Sequence, residues 1–419
     1  MLFRQGGIGL KELFLEKFYY LKENAKNFNN LMLTDKELDY LEEIFLSDKP
    51  LCELKAYKYM EEYKLDKNKS YIILANHQTT WDPILLYCSF KNIIYPVMAK
   101  DFIPVKYRKL IYKYLGPVLK AKTLKDLQAV KNMLQVVKEG NNLYLYPEGN
   151  RTYSGELCYF SDATIKFIKK AKCDVVYYNF KGGYGVDPRW GTSIRKGKFE
   201  GGIRSILPFE EIEKMSIEEL LAHTKKELSV VEAPSENEYK SSKRAEALER
   251  TLYRCPICKN ISKLHSQGNY LSCECGLKVE YTSKLTFNCS DPRFKYKTVN
   301  DWFVDQEKWI RSYEYQGSDP IFEDENIILH KIFIDHNEEV TRGKLSLYED
   351  YLLIGEKRFD FSSIIEMTVS SKQTLIFYVD DISYRLSSDI VGVNFIKYMQ
   401  MYYHLNNKKL GFDDDFLGI

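Results

Sequence analysis

Two short apolar runs, Tyr-Ile-Ile-Leu-Ala at 71–75 and Leu-Tyr-Leu-Tyr at 143–146, each stop abruptly at a compact polar block. Runs this brief and this uniformly apolar suit strands buried on both faces, the pattern of a parallel sheet covered by helices. Similar runs at 93–98 and 174–180 alternate with helical patterns at 83–90, 104–115 and 123–139. That alternation predicts an α/β domain with a mostly parallel sheet flanked by helices. A last strand is expected at 205–209 and a further helix at 216–230. Such sheets gather ligand sites beyond the carboxyl ends of their strands.

The polar blocks stand at those ends. The first is His77-Gln-Thr-Thr-Trp-Asp82 and the second is Tyr146-Pro-Glu-Gly-Asn-Arg151. An Asp five positions after a His can take the imidazole proton on one nitrogen and leave the other as a base. Pro-Glu-Gly offers a small-residue turn, and Arg151 a guanidinium suited to an anion. Taken singly, each block is an ordinary turn or cap with a solvated charge nearby. Together, in order and at strand ends, they supply a base and an anion site, the minimum for moving an acyl group onto a phosphorylated alcohol.

These blocks resemble those of the glycerolipid acyltransferases, the 1-acyl-sn-glycerol-3-phosphate acyltransferase-like (PlsC-like) family. Asn76, His77 and Asp82 match its Asn-His-(four residues)-Asp block; Tyr146, Pro147, Glu148, Gly149 and Arg151 match its aromatic-Pro-Glu-Gly-x-Arg block. Val97-Met-Ala-Lys100 looks like its strand ending in a phosphate-contacting Lys. In Gly116-Pro-Val-Leu-Lys-Ala-Lys122 the family's Arg is replaced by Lys122, which keeps the charge but not the planar fork. Asp174-Val-Val-Tyr-Tyr178 lacks the Pro of the family's later block. The resemblance spans roughly residues 50 to 250.

It implies an O-acyltransferase that takes a fatty acyl group from acyl-CoA or acyl-carrier protein. The acceptor would be a hydroxyl of a glycerol-phosphate or lysophosphatidic-acid-type molecule, in phospholipid synthesis. His77 and Asp82 would be catalytic, and Lys100, Lys122, Glu148, Gly149 and Arg151 substrate-binding, with Glu148 shaping the pocket or bonding an acceptor hydroxyl. No catalytic metal is expected. Two other readings stay open: a non-catalytic membrane or protein adaptor on an acyltransferase scaffold, and a thioester or ester hydrolase in which His77 activates water.

The nine cysteines fall into two sets. Cys52, Cys88, Cys158 and Cys173 are scattered and read as small buried hydrophobes. Cys255-Pro-Ile-Cys258 and Cys273-Glu-Cys275-Gly276 form two pairs with fourteen residues between them. Paired thiolate knuckles of this kind supply four sulfurs to a structural zinc in a small ribbon. His265 is a possible substitute ligand and Cys289 a bystander. Four protein ligands leave no open position for water or substrate, so the zinc would be structural. Basic and acidic residues nearly cancel, 61 against 59, which argues against a dedicated nucleic-acid binder.

The chain of 419 residues is too long for one core. The expected division is 1–50, an amphipathic helical region; 51–233, the acyltransferase domain; 234–250, a linker and short basic helix; 251–289, the zinc ribbon; 290–325, a connecting helix; and 326–419, a C-terminal module. Segment 8–27 has Leu10, Leu13, Phe14, Phe18 and Leu21 near helical spacing, suited to packing on its own domain or lying in a membrane interface. A second helix, 34–45, opens on Thr34 with Glu37 as a capping box. In the last module, short alternating runs precede one helix at 390–405. That layout resembles a pleckstrin-homology or GRAM-type β-barrel with its capping helix. No apolar run of membrane-spanning length and no signal-peptide core is read, so a cytoplasmic protein, peripheral at the inner membrane face, is expected.

Overall fold

The computed structural model describes residues 59–60, 63–99, 116–120, 126–333, 336–380 and 382–411. The expected helices at 8–27, 34–45 and 104–115, together with Lys100 and Lys122, lie outside the described residues.

The first half builds a seven-stranded sheet. Its elements are β1 (Tyr59–Met60), β2 (Tyr71–Ala75), helix α1 (Asp82–Cys88), β3 (Ile94–Ala99), β4 (Val118–Lys120), α2 (Leu127–Lys138), β5 (Asn142–Leu145), α3 (Ala163–Ala171), β6 (Asp174–Lys181), β7 (Glu200–Leu207) and α4 (Ile217–Leu228). The strand order is β1-β7-β6-β2-β5-β3-β4. Every neighbouring pair is parallel except β6 with β7. β7 starts five residues ahead of the expected 205, because Gly201 and Gly202 at its opening read as loop.

Period-two alternation sends the two faces of this sheet into two cores. Ile72 and Leu74 of β2, Leu143 and Leu145 of β5, and Val175 and Tyr177 of β6 join the helices α2, α3 and α4. Ile73 and Ala75, Tyr144, and Val176 and Tyr178 face the opposite way. That second core runs on without a break into the remainder of the chain. Burial on both faces explains why β2 is apolar throughout and why the polar residues of β5 and β6, Asn142, Asp174, Asn179 and Lys181, stand toward the strand ends.

Next come four antiparallel strands, β8 (Leu264–Gln267), β9 (Tyr270–Cys273), β10 (Lys278–Tyr281) and β11 (Phe287–Asn288), in order β11-β10-β9-β8. Helix α5 (Val299–Arg311) follows, its N-terminus closed by a capping box between Thr298 and Asp301. A second seven-stranded sheet is wholly antiparallel: β12 (Phe322–Ile332), β13 (Asn337–Leu347), β14 (Tyr351–Ile354), β15 (Lys357–Asp360), β16 (Ile364–Ser370), β17 (Thr374–Val379) and β18 (Ile382–Ser388). Its order is β15-β14-β13-β12-β18-β17-β16, two meanders joined where β12 meets β18. Helix α6 (Ile396–Leu410) starts six residues after the expected 390 and buries Tyr398, Met399, Tyr402 and Leu405. No described helix is long and apolar enough to cross a membrane.

The polar stretch 234–243, expected as a linker, is pinned rather than free. Tyr239 is buried with its ring between Gly185 and Gly197, where an added Cβ would come within 2.4 Å and 2.2 Å of ring atoms. Instead of the expected short basic helix, only a 3₁₀ turn forms, at Leu248–Arg250.

Candidate functional site

β2 and β5 are parallel neighbours in register, Leu74 against Leu145, so their carboxyl ends stop side by side. The two polar blocks therefore meet. The His77 N–H donates to Glu148 Oε1 at 2.7 Å, and the Thr152 N–H donates to the His77 carbonyl at 3.0 Å. The second Glu148 oxygen accepts the Cys158 N–H at 2.8 Å. Glu148 is buried with both oxygens on backbone donors, so of its two expected roles the geometry supports shaping the pocket. Burial, opposed by the Cys158 and His77 N–H groups, pushes its carboxyl up to about 8.

Asp82 is fully buried at the first turn of α1 and gathers the loop before it. Its Oδ2 accepts the Gln78 N–H at 2.5 Å, the Thr79 N–H at 2.8 Å and His77 Nδ1 at 2.9 Å. Oδ1 accepts the Thr79 hydroxyl at 2.5 Å. An ionised carboxylate only accepts, so Nδ1 carries the proton and Nε2 is the lone-pair nitrogen. The imidazole stacks on the Tyr146 ring, centroids 4.2 Å apart and planes 20° off parallel. Burial pushes the imidazole below its ordinary value against the pull of Asp82, and the charges of Arg151 and Arg189 push the same way. The result is a neutral, oriented base.

Gly149 turns the Pro-Glu-Gly segment with φ 67°, the left-handed region, and its N–H closes the turn on the Tyr146 carbonyl at 3.0 Å. Its chain neighbours aside, no atom of the described residues lies within 4 Å of where its Cβ would stand. Arg151 is buried, and its Nη1 has no hydrogen-bond partner among the described residues. The Trp81 indole N–H and the Tyr146 hydroxyl are buried without partners as well. Orphaned donors of this kind are costly unless a ligand satisfies them. Beside His77 lies a small pocket of about 10 Å³, room for about one water, lined by Asn76, Gln78, Glu148, Thr152, Leu157, Leu228 and Val230 among the described residues. Polar and apolar groups thus both border the space next to the base.

Sequence reasoning missed a second ring of residues. Gln78 Nε2 donates to Glu232 Oε1 at 2.7 Å, and the Gly182 N–H reaches the same oxygen at 2.8 Å. The Gly183 N–H donates to Gln78 Oε1 at 2.9 Å. Glu232 thereby ties the segment after α4 to the end of β6 and to the neighbour of the base. Burial, opposed by the Gly182 and Gln78 donors and by Lys181, raises its carboxyl from the ordinary 4.5 to about 7. A raised carboxyl stabilises the fold when protonated, and this contribution is lost as pH climbs from the ordinary carboxylate range through about 7. Glu232→Gln keeps an oxygen for both donors and removes the titration. Its thermal midpoint is expected to equal wild type near about pH 5 and to exceed it increasingly up to about pH 8. A gap that stays flat over this range would show that the native carboxyl is not held neutral.

Further along, four cysteine sulfurs converge within 4.8 Å of one another: Cys255, Cys258, Cys273 and Cys275. Cys255 Sγ stands 3.7 Å from Cys275 Sγ, and Cys258 Sγ 3.7 Å from Cys273 Sγ. Zn–S bonds of about 2.3 Å set a tetrahedral edge of about 3.8 Å. The donor set therefore fits a tetrahedral metal ion. Left-handed Lys259 and Gly276, at φ 64° and 94°, turn the two knuckles. His265 is exposed and lies 3.9 Å from Glu274, and Cys289 bonds the Lys278 carbonyl; neither belongs to the cluster.

Residues 57–179 match the family model described as Acyltransferase. A crystal structure of the 1-acyl-sn-glycerophosphate (LPA) acyltransferase PlsC from Thermotoga maritima is similar over 52% of this chain and 92% of its own, at 20% identity and a TM-score of 0.36. No curated protein matches the chain.

Proposed function

For a chain that carries an acyltransferase-family domain over residues 57–179, we propose acyl transfer from a thioester donor to a glycerol-phosphate or lysophosphatidic-acid-type acceptor. One observation carries this reading: a His77–Asp82 pair whose base nitrogen has no partner among the described residues, in the same strand-end loops as a buried Arg151 whose Nη1 has none among them either. His77 Nε2 takes the proton of the acceptor hydroxyl as the oxygen attacks the thioester carbonyl. Asp82 holds the tautomer and stabilises the imidazolium. When the tetrahedral intermediate collapses, the C–S bond breaks and the imidazolium returns its proton to the departing thiolate. Ester and free thiol result, with His77 neutral again and no acyl-enzyme required.

Arg151 binds the acceptor phosphate, with Lys100 and Lys122 as its partners by the family resemblance. Glu148 and Gly149 shape the loop that presents it. Leu157, Leu228 and Val230 put apolar surface beside the base, where the reactive end of the acyl chain must come. The donor is acyl-CoA or acyl-carrier protein. An acceptor carrying a fatty chain resides in a bilayer, so the protein works peripherally at a membrane surface, on the cytoplasmic inner face. Cys255, Cys258, Cys273 and Cys275 hold a structural zinc, which supplies folding energy and no chemistry. The division at 51–233, 251–289 and 326–419 stands as our reading of the domains. The last unit is a pleckstrin-homology or GRAM-type module, supported by its antiparallel strands and closing helix.

The test is thiol release from an acyl-CoA, with and without glycerol 3-phosphate or lysophosphatidic acid. Release that accelerates with acceptor supports transfer. Equal release without acceptor identifies a hydrolase, and none under any condition favours the adaptor.

A further inference from the structure

Arg189 lies beyond β6 in Asp187-Pro-Arg-Trp190 and is 1% exposed. It has no ion pair among the described residues; what surrounds it is carbonyl oxygen. Nη1 donates to the Arg151 carbonyl at 2.9 Å, and Nη2 to Asn150 Oδ1 at 3.4 Å. Two further bonds cross to the C-terminal sheet, from Nε to the Ser371 carbonyl at 2.9 Å and from Nη2 to the Val369 carbonyl at 3.1 Å. The guanidinium carbon sits 4.1 Å over the Tyr153 ring.

The hairpin tip between β16 and β17 is built to meet it. Ser371 has φ 51°, a left-handed conformation at a non-glycine residue. Lys372 anchors the tip from the other side, donating to the Gly191 carbonyl at 2.7 Å and to Asp187 at 3.3 Å. Asn150 Nδ2 adds a bond to the Thr368 hydroxyl at 3.4 Å. One planar fork thus joins a hairpin of the C-terminal sheet to the backbone of the loop that presents Arg151. A buried cation without a counter-charge is expensive, and only several well-placed oxygens offset it. The charge also adds to that of Arg151, leaving positive potential suited to an anion beside the loop that carries it. Both charges depress the His77 imidazole.

We propose that Arg189 is a positioning residue for the acceptor site: locked by the β16–β17 hairpin, it fixes the Arg151 backbone and aims that guanidinium at the acceptor phosphate. The C-terminal sheet is then part of the working transferase rather than an appended binding module. The inference rests on the function proposed above for the aim of Arg151.

The experiment uses the full chain as wild type, Arg189→Lys, Lys372→Met and Arg151→Ala. Two readouts are taken: steady-state constants for donor and acceptor, and titration with inorganic phosphate by calorimetry. Arg189→Lys keeps the charge but not the fork. It is expected to raise the acceptor KM and the phosphate Kd on the order of ten-fold, the scale of one charge-assisted bond, with the donor KM unchanged. Lys372→Met, which alters only the anchor of the hairpin tip, is expected to shift the same two constants by less. If Arg189→Lys does not fold, Lys372→Met decides alone. Unchanged constants, or donor and acceptor KM rising together as the thermal midpoint falls, would overturn the proposal. So would a wild type that binds no phosphate. An inactive wild type that binds phosphate, more weakly in Arg189→Lys, overturns the acyltransferase reading and leaves the positioning role standing.

Discussion

Replacing His77 by Ala is expected to slow acceptor-dependent thiol release by about 10²–10⁴-fold, the usual contribution of a positioned general base. The fold should tolerate it, because the groups that hold the 77–82 loop are backbone atoms and the Asp82 carboxylate. Asp82→Asn is the less clean variant. An amide nitrogen would face the donors of Gln78, Thr79 or His77, leaving at least one of them unpaired at a cost of about 1–3 kcal/mol. The pH profile adds an independent check on His77. Burial and the charges of Arg151 and Arg189 hold the imidazole below its ordinary 6.5, so the acid limb of activity should fall below that pH. Native His77 then resists protonation more than the unfolded chain does, and its contribution to stability is lost as pH falls. Arg151→Gln removes one repelling charge and should move the limb to higher pH. A limb that does not move would separate the titrating group from His77.

What was legible in the chain follows the range over which each feature is encoded. β2 coincides with the run read from sequence, and β5 and β6 match to within a residue at either end, because buried strands must be apolar along most of their length. The blocks of His77, Asp82 and Arg151 could be singled out because each follows such a strand, and parallel neighbours place those ends together. β15, with Lys357, Arg358 and Asp360, escaped because an edge strand is charged to deter pairing, and charge reads as loop. Glu232 lies beside a stretch whose composition is that of a linker, and only the fold reveals its two backbone and side-chain donors. Arg189 was the hardest to see. Its partners in the C-terminal sheet are carbonyls as far as 182 residues away, and any residue type supplies a carbonyl. Proximity to the end of β6 was the one signal available, shared with every other residue of that loop.

Losing the zinc proposed for the four cysteines is expected to cost more than losing any one core side chain. In small zinc modules the ion contributes an apparent ~10–16 kcal/mol of folding free energy. Here the four sulfurs already stand at tetrahedral spacing, and Cys255 and Cys273 are buried within the core that the sheets share. Tyr281 at the end of β10 packs edge-on against Trp190 at 5.8 Å, and the Arg195 guanidinium lies over both rings at 4.8 and 5.4 Å. Trp190 is the chain neighbour of Arg189. Collapse of the four-cysteine module should therefore loosen the segment that carries Arg189, next to the proposed acceptor site. Cys273→Ser is expected to lose the metal, to lower the thermal midpoint sharply, and to lose activity in step with metal content. Atomic emission, calorimetry and the thiol-release assay on the same samples check this. Chelation of wild type should reproduce the variant. A metal-free chain that melts and turns over as wild type would mean that the thiols hold the ribbon by packing alone, and that its link to Trp190 is mechanically idle.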